Sequence, residues 1–256
     1  MTAFEKFKAL HYSDSPLLIG NAWDVTSATI FEQCGLKAIA TSSRAIANSM
    51  GYEDGEKIPF DLLLQTVKRI AGHIHVPFSV DIEAGFSRKI PGIVENIERI
   101  YDLGAAGFNI EDSLTIDGAK LQPAEDFQKI ISSIADHLAK KNMHIYMNVR
   151  TDAFLLKVPG ALAETVTRIK MYERAGASGI FVPFVADTND IRKIVETVSL
   201  PLNVLATAGL PGIPALRELG VKRISMGSSM HIFLQRVIRN AIDAIEKEQS
   251  LAVLFS

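Results

Sequence analysis

Leu103-Gly104-Ala105-Ala106-Gly107-Phe108-Asn109-Ile110-Glu111-Asp112 joins a helix stop, a buried strand and two acids in a single stretch. Gly104 stops a helix at low cost because glycine accepts the left-handed conformation. The apolar run that follows reads as a strand buried on both faces. Its acids lie at the far end. The helix stop recurs as Cys34-Gly35 before Ala38, Ala175-Gly176 before Gly179 and Leu219-Gly220 before Arg223. The polar strand end recurs in Ala38-Ile39-Ala40-Thr41-Ser42-Ser43, Phe78-Ser79-Val80-Asp81-Ile82-Glu83 and Ile145-Tyr146-Met147-Asn148-Val149-Arg150. It is weaker in Leu17-Leu18-Ile19-Gly20-Asn21-Ala22-Trp23-Asp24.

Strand centres fall near Ile19, Ile39, Val80, Phe108, Met147, Phe181, Val204 and Ile224. Segments of helical spacing lie between them. Leu63, Val67 and Ile70 share one face, as do Ile93, Ile97 and Ile100, and Leu162, Val166, Ile169 and Tyr172. Strands alternating with helices imply an α/β protein with a parallel sheet. About eight such units in about 250 residues imply a closed (β/α)8 TIM barrel. A doubly wound open sheet competes, but no Gly-x-Gly-x-x-Gly follows the first strand. No linker interrupts the pattern, so residues 1–256 read as one barrel domain with a C-terminal helical extension. A last helix is expected over residues 228–248. The apolar tail Leu251-Ala252-Val253-Leu254-Phe255 must cover its own barrel or another subunit.

The chain has 256 residues, 48% hydrophobic, and a net charge of −2. That charge favours neither nucleic acid nor an anionic membrane surface. No apolar run approaches the roughly 20 residues of a membrane span. The first residues lack the apolar stretch of a signal peptide, so a soluble cytoplasmic protein is expected. A single cysteine rules out an internal disulfide. Cys34 is expected as a small core residue within a helix over residues 26–34.

In a parallel barrel the strand ends form the active face. Asp81 and Glu83 are two apart on a strand, so their side chains leave on the same face. Glu111 ends the next strand. Three carboxylates at one level repel unless a cation intervenes, and hard oxygen ligands suit Mg²⁺ or Mn²⁺. The alternative makes them solvated strand ends or ion-pair partners of Arg44 and Arg150. Arg150 carries a planar fork that can hold a carboxylate through two parallel hydrogen bonds. An ion pair with Glu83, Glu111 or Asp152 is compatible with that role. Ser42 and Ser43 offer backbone N–H groups to an anion. Asp54, in a turn-rich loop, reaches over the mouth or simply makes the turn. Gly227-Ser228-Ser229 is a phosphate-binding turn or a helix cap. The six histidines avoid these strand ends, His231 being the possible exception. Histidine bases and histidine-bound zinc are therefore not expected. No Gly-x-Ser-x-Gly elbow is present.

Four runs in order carry a family likeness: Asn21-Ala22-Trp23-Asp24, Asp81-Ile82-Glu83-Ala84-Gly85-Phe86, Asn109-Ile110-Glu111-Asp112 and Asn148-Val149-Arg150-Thr151-Asp152-Ala153-Phe154. From about Leu17 to about Gln249 the chain resembles the isocitrate lyase / phosphoenolpyruvate mutase superfamily. The resemblance implies a β/α barrel that binds Mg²⁺ and a small 2-oxo acid or its enolate. Many members are tetramers that exchange the eighth helix between neighbours, so a homo-oligomer, dimer or tetramer, is expected here. By resemblance, Asp81 is the metal aspartate, and Glu83 stands where the mutase has a second aspartate. Glu111 is the glutamate of the metal's water shell, and Arg150 grips the substrate carboxylate. Ser42 and Ser43 hold the oxo-acid end, and Asp54 lies near the reacting group. Substrate choice is expected to fall to Tyr52, Phe86, Pro183 and Asn203.

Departures narrow the reaction. The isocitrate and methylisocitrate lyases carry Lys-Lys-Cys-Gly-His after the fourth strand. Residues 113–123 here contain neither cysteine nor histidine, which argues against both activities. The mutase has a lysine after the Glu-Asp pair and a histidine on the sixth strand. Ser113 and Pro183 stand there instead. The expected function is Mg²⁺-dependent cleavage of a C–C bond in a small 2-oxo or 2-hydroxy carboxylic acid through an enolate. Asp54 or Glu111 would move the proton, and residues 113–123 would form a lid. The alternatives are P–C bond chemistry on a phosphonopyruvate-like substrate, and a barrel that binds a 2-oxo acid without turnover.

Overall fold

Eight parallel strands close on themselves in this computed structural model, which describes residues 1–115 and 119–255. They are β1 (Leu17–Ala22), β2 (Ile39–Thr41), β3 (Phe78–Asp81), β4 (Gly107–Glu111), β5 (Tyr146–Arg150), β6 (Gly179–Val182), β7 (Leu202–Leu205) and β8 (Arg223–Ser225). Each expected centre lies in a barrel strand. The ring closes where β1 pairs with both β2 and β8, Gly20 opposite Ile39 and Leu17 opposite Arg223. The helices are α1 (Ala3–Leu10), α2 (Val25–Gln33), α3 (Ser43–Ser49), α4 (Phe60–Ala71), α5 (Ile90–Asp102), α6 (Ala124–Lys140), α7 (Ala161–Arg174), α8 (Thr188–Val195), α9 (Ile213–Glu218) and α10 (Ser229–Glu248). The chain is thus a (β/α)8 TIM barrel.

The core lies between the sheet and this outer layer. Ile39, Val80, Phe108, Val149, Ile180 and Val204 of the strands are buried in one cluster with Leu63, Val67 and Ile70 of α4 and Ile93, Ile97 and Ile100 of α5. Each fully buried aliphatic side chain contributes about 1.5–3 kcal/mol. On α7 the expected face shifts. Thr165, Arg168, Ile169 and Tyr172 are buried, while Val166 is only half-buried.

The N-terminal ends of the strands are plugged by α1. A capping box of Thr2 and Glu5 starts this helix, and Phe7 packs with Leu17, Ile19, Ala38, Ala40, Ala106 and Tyr146. His11 follows, stacked on Tyr146 at 4.3 Å, with Nδ1 2.7 Å from the Phe7 carbonyl. That carbonyl can only accept, so Nδ1 carries the proton. Burial and the nearby Arg223 charge push the His11 pKa down to about 3. Arg223 is itself fully buried, its guanidinium 5.8 Å from the Phe7 ring centre.

Two expectations change. α2 ends at Gln33, and Cys34 is its exposed C-cap rather than a core residue. Gly35, at φ 85°, turns the chain back toward β2. The apolar tail does not cap its own barrel: a short helical turn over Ala252–Phe255 leaves Phe255 86% exposed. No described helix is long and apolar enough to cross a membrane.

Candidate active site

A cavity of about 480 Å³ opens at the C-terminal ends of the strands. Asp81, Glu83, Glu111 and Arg150 line it, as do Ser42, Ser43 and Asp54. Leu155, Phe181, Pro183 and Leu205 supply apolar wall.

Asp81 ends β3. Its backbone N–H donates to Thr41 Oγ1 at 2.8 Å, and its Oδ2 accepts from Ser43 Oγ at 2.8 Å. Beyond it the chain turns through left-handed conformations at Glu83 (φ 49°), Gly85 (φ 99°) and Phe86 (φ 55°). A non-glycine residue held this way costs about 1–3 kcal/mol, which is a mark of functional loops. Glu83 Oε2 accepts the Glu56 N–H at 2.8 Å, while the buried Oε1 has no hydrogen-bond partner. The Glu56 carboxylate in turn accepts the Phe86 N–H at 2.6 Å and pairs with Arg88. Glu56 escaped the sequence reading. Its only signal was its place in the same turn-rich loop as Asp54.

Glu111 on β4 and Arg150 on β5 are direct register partners. Arg150 Nη1 lies 2.7 Å from Glu111 Oε2. Asp152 takes the other edge of the fork, accepting from Nε at 2.6 Å and from Nη2 at 3.0 Å. Ser113 Oγ donates to Asp152 Oδ2 at 2.5 Å. The ion-pair reading of Arg150 therefore holds for Glu111 and Asp152, while the residue still faces the cavity.

Burial governs the charges. It raises the Asp81 pKa, against the pull of Arg150 and Ser43. It raises Glu83 to about 8, with Asp81, Asp54 and Glu56 adding repulsion. It also raises Glu111 well above the usual range, although Arg150 opposes the shift. For Arg150 burial disfavours the cation, but Asp152 and Glu111 outweigh it and hold the pKa above its ordinary value.

Other expected residues are placed differently. The Ser42 N–H donates to the Ala22 carbonyl at 3.0 Å, and its side chain caps α3 through Ala45. That amide is occupied and not available to an anion. Asp54 is half-exposed, 3.9 Å from Arg44. Asn203 does not line the cavity: it is buried on β7, where Oδ1 accepts from Ser225 Oγ at 3.1 Å. Its register opposite Arg223 sets it below Leu205, which does reach the cavity. Tyr52 and Phe86 pack beside Ile46, Ala47 and Ile58, leaving Pro183 as the cavity-lining member of that set. The Met226 and Gly227 N–H groups both donate to Asn21 Oδ1 at 2.9 Å, so two amides of the Gly227 turn are taken. Within the expected lid, Ser113–Leu114 pairs antiparallel with Lys120–Leu121. Thr115 Oγ1 donates to the Gly55 carbonyl at 2.9 Å. Residues 116–118 of that loop lie outside the described residues.

Among the described residues, no three acids, histidines or cysteines are grouped closely enough to hold an ion by direct ligation alone. The donor set nevertheless suits a hard cation that keeps several waters. Buried carboxylates with raised pKa values, one with an oxygen left unpaired, are stabilised by a nearby positive charge.

Comparisons with known proteins bear on the family. An uncharacterized protein of Mycobacterium tuberculosis is 33% identical over 222 residues, 87% of this chain and 81% of that protein. An oxaloacetate decarboxylase of Pseudomonas fluorescens is 24% identical over 252 residues, 96% of this chain and 84% of that enzyme. Among solved structures, a provisionally named phosphonomutase of Burkholderia cenocepacia superposes with a TM-score of 0.88 at 29% identity, covering 94% of this chain and 99% of that one. The phosphoenolpyruvate phosphomutase family model matches residues 7–246. With that model covering most of the chain, the chain belongs to the phosphoenolpyruvate phosphomutase family.

Proposed function

We propose that this protein is a Mg²⁺-dependent lyase, with Mn²⁺ as a substitute, that breaks a C–C bond in a small 2-oxo or 2-hydroxy carboxylic acid through an enolate. The observation that carries the reading is the fixed guanidinium of Arg150 sharing one cavity with Asp81, Glu83 and Glu111. Arg150 binds the substrate carboxylate and thereby orients the bond to be broken. Asp81, Glu83 and Glu111 would hold the cation, in part through water. When bound, the cation supplies Lewis-acid stabilisation of the developing oxyanion. Ser43 keeps Asp81 in place through its hydroxyl. The proton falls to Asp54 at the loop rim or to Glu111, whose pKa burial raises while the Arg150 ion pair opposes the shift. Leu155, Phe181 and Pro183 keep water from the reacting carbons.

The likeness to an oxaloacetate decarboxylase supports C–C chemistry. The likeness to a phosphonomutase favours a second reading, P–C bond chemistry on a phosphonopyruvate-like acid, which uses the same acids and arginine. A panel of oxaloacetate, 2-methylisocitrate, 2,3-dimethylmalate and phosphonopyruvate, followed by NMR with and without Mg²⁺, separates the two. Turnover of a carbon acid supports the lyase. Turnover of phosphonopyruvate alone replaces it with the second reading. Magnesium-independent turnover rejects the metal assignment.

A further inference from the structure

Behind Arg150 lies a buried polar chain that never reaches the cavity. The Asp152 backbone N–H donates to Asp112 Oδ1 at 3.0 Å. Asp112 Oδ2 accepts from Tyr172 OH at 2.8 Å and from Arg168 Nη1 at 3.1 Å, both on α7. Arg168 Nη1 also donates to Tyr172 OH at 3.1 Å, and Nε donates to Glu164 Oε1 at 2.7 Å. Asp112 is tied by its backbone as well. Its N–H donates to the Arg150 carbonyl at 3.1 Å, and its own carbonyl accepts from Gln122 at 2.8 Å. Asp112 and Asp152 are both fully buried, and Arg168 nearly so.

We propose that Arg168 and Tyr172 are positioning residues for Arg150, acting through Asp112 and Asp152. The inference rests on the reading of Arg150 as the carboxylate-binding residue. The chemistry of the chain points the same way. Arg150 is gripped by Asp152 along one edge of its fork, so the direction of the guanidinium follows the position of the Asp152 backbone. That backbone is set by one carboxylate oxygen of Asp112. The other oxygen is held from α7 by a cation and a hydroxyl. A buried Arg–Asp pair adds little stability over an apolar replacement of equal volume. What it fixes is orientation, because charge-assisted hydrogen bonds are short and directional. The two buried aspartates also keep separate cations, Arg150 for Asp152 and Arg168 for Asp112.

The test uses the whole 256-residue chain with Mg²⁺ and oxalate, a minimal dicarboxylate probe, in titration calorimetry. Arg168→Met is expected to weaken oxalate binding about tenfold, as does removing the support of a ligand-holding group elsewhere. Stoichiometry should stay near that of the wild type, which separates a displaced Arg150 from a fraction of unfolded protein. Arg168→Lys, which restores the charge, should recover part of the loss. Should Arg168→Met fail to fold, Tyr172→Phe decides the matter, since it removes one hydroxyl and leaves the ion pair. It is expected to weaken binding about threefold, the loss of part of one buried hydrogen bond. Wild-type affinity in the folded Arg168 or Tyr172 variant, with only the melting temperature lowered, would overturn the inference. Arg150→Lys is the reference: if it binds oxalate as the wild type does, the carboxylate reading itself fails, whatever the α7 variants do.

Discussion

Arg150 keeps its charge in a buried setting because two acids flank it, and the three contacts leave it little freedom to turn. Lysine would keep the charge but lose the planar fork. Arg150→Lys should therefore weaken Mg²⁺-dependent oxalate binding about 10–100-fold, the loss of one or two charge-assisted hydrogen bonds. Calorimetry checks this, and a change under threefold would contradict it. Glu83 makes a different prediction. Burial and the Asp81 charge raise its pKa to about 8. Its folded form therefore holds a proton that the unfolded chain, near 4.5, has already released. The stability this gives is fully present below about pH 4.5 and is lost as pH rises through about 8. With chelator present, wild type should lose stability relative to Glu83→Gln over this window, by up to about 1.4 kcal/mol per pH unit for one proton. Urea denaturation at pH 5 and pH 8 measures the difference. A constant gap between the two proteins would show that Glu83 does not titrate there.

Local elements were the legible part of the chain. A strand buried on both faces announces itself as a short apolar run between a glycine stop and a polar end, so all eight barrel strands could be read without tertiary information. Depth in the barrel could not be read that way. Asn203 and Leu205 sit on the same strand, and only the stagger against β8 decides which one meets the cavity. Arg168 was missed for a related reason. Helical periodicity assigns an arginine to solvent, yet a buried Asp112 far away in sequence draws it inward. The acids and Arg150 were legible because strand ends set their level. Asp112 was hidden by its neighbour Glu111, since adjacent acids look alike until the fold separates their partners. One element-scale prediction concerns the plug. A Cβ on Gly107 would stand 2.7 Å from Phe7 and 2.9 Å from the Tyr146 carbonyl. The first contact is a fully buried ring and the second is strand backbone. Gly107→Ala should cost about 1–3 kcal/mol as overpacking, lowering the melting temperature by roughly 2–4 °C per kcal/mol. An unchanged melting curve would mean that α1 is free to shift from the barrel floor.

At the scale of the whole molecule, α10 presents more apolar surface than a free helix should. Met230, Leu234, Ile238 and Ile242 follow one another at i, i+4 spacing, with Phe233 and Val237 in the adjoining row. All six are exposed, and Leu251, Leu254 and Phe255 of the tail extend the apolar surface. Contiguous patches of this sort mark interaction sites. The homo-oligomer expected from the sequence would bury this stripe, and the same helix borders the cavity through Ser229 and Ile232. A partner seated there would close the rim of the active site as well as bury the stripe. Light scattering should then give a mass at least twice the 28.0 kDa of one chain. Leu234→Asp combined with Ile238→Asp places two charges in the middle of the stripe, where burial without a partner charge costs several kcal/mol each. The double variant should run as a monomer and bind oxalate more weakly, since its cavity rim would stand open. Two results would refute this: a monomeric wild type at micromolar concentration, or a monomeric variant whose oxalate affinity matches that of the assembled protein. The first removes the second copy, and the second leaves an assembly whose interface does not serve the site.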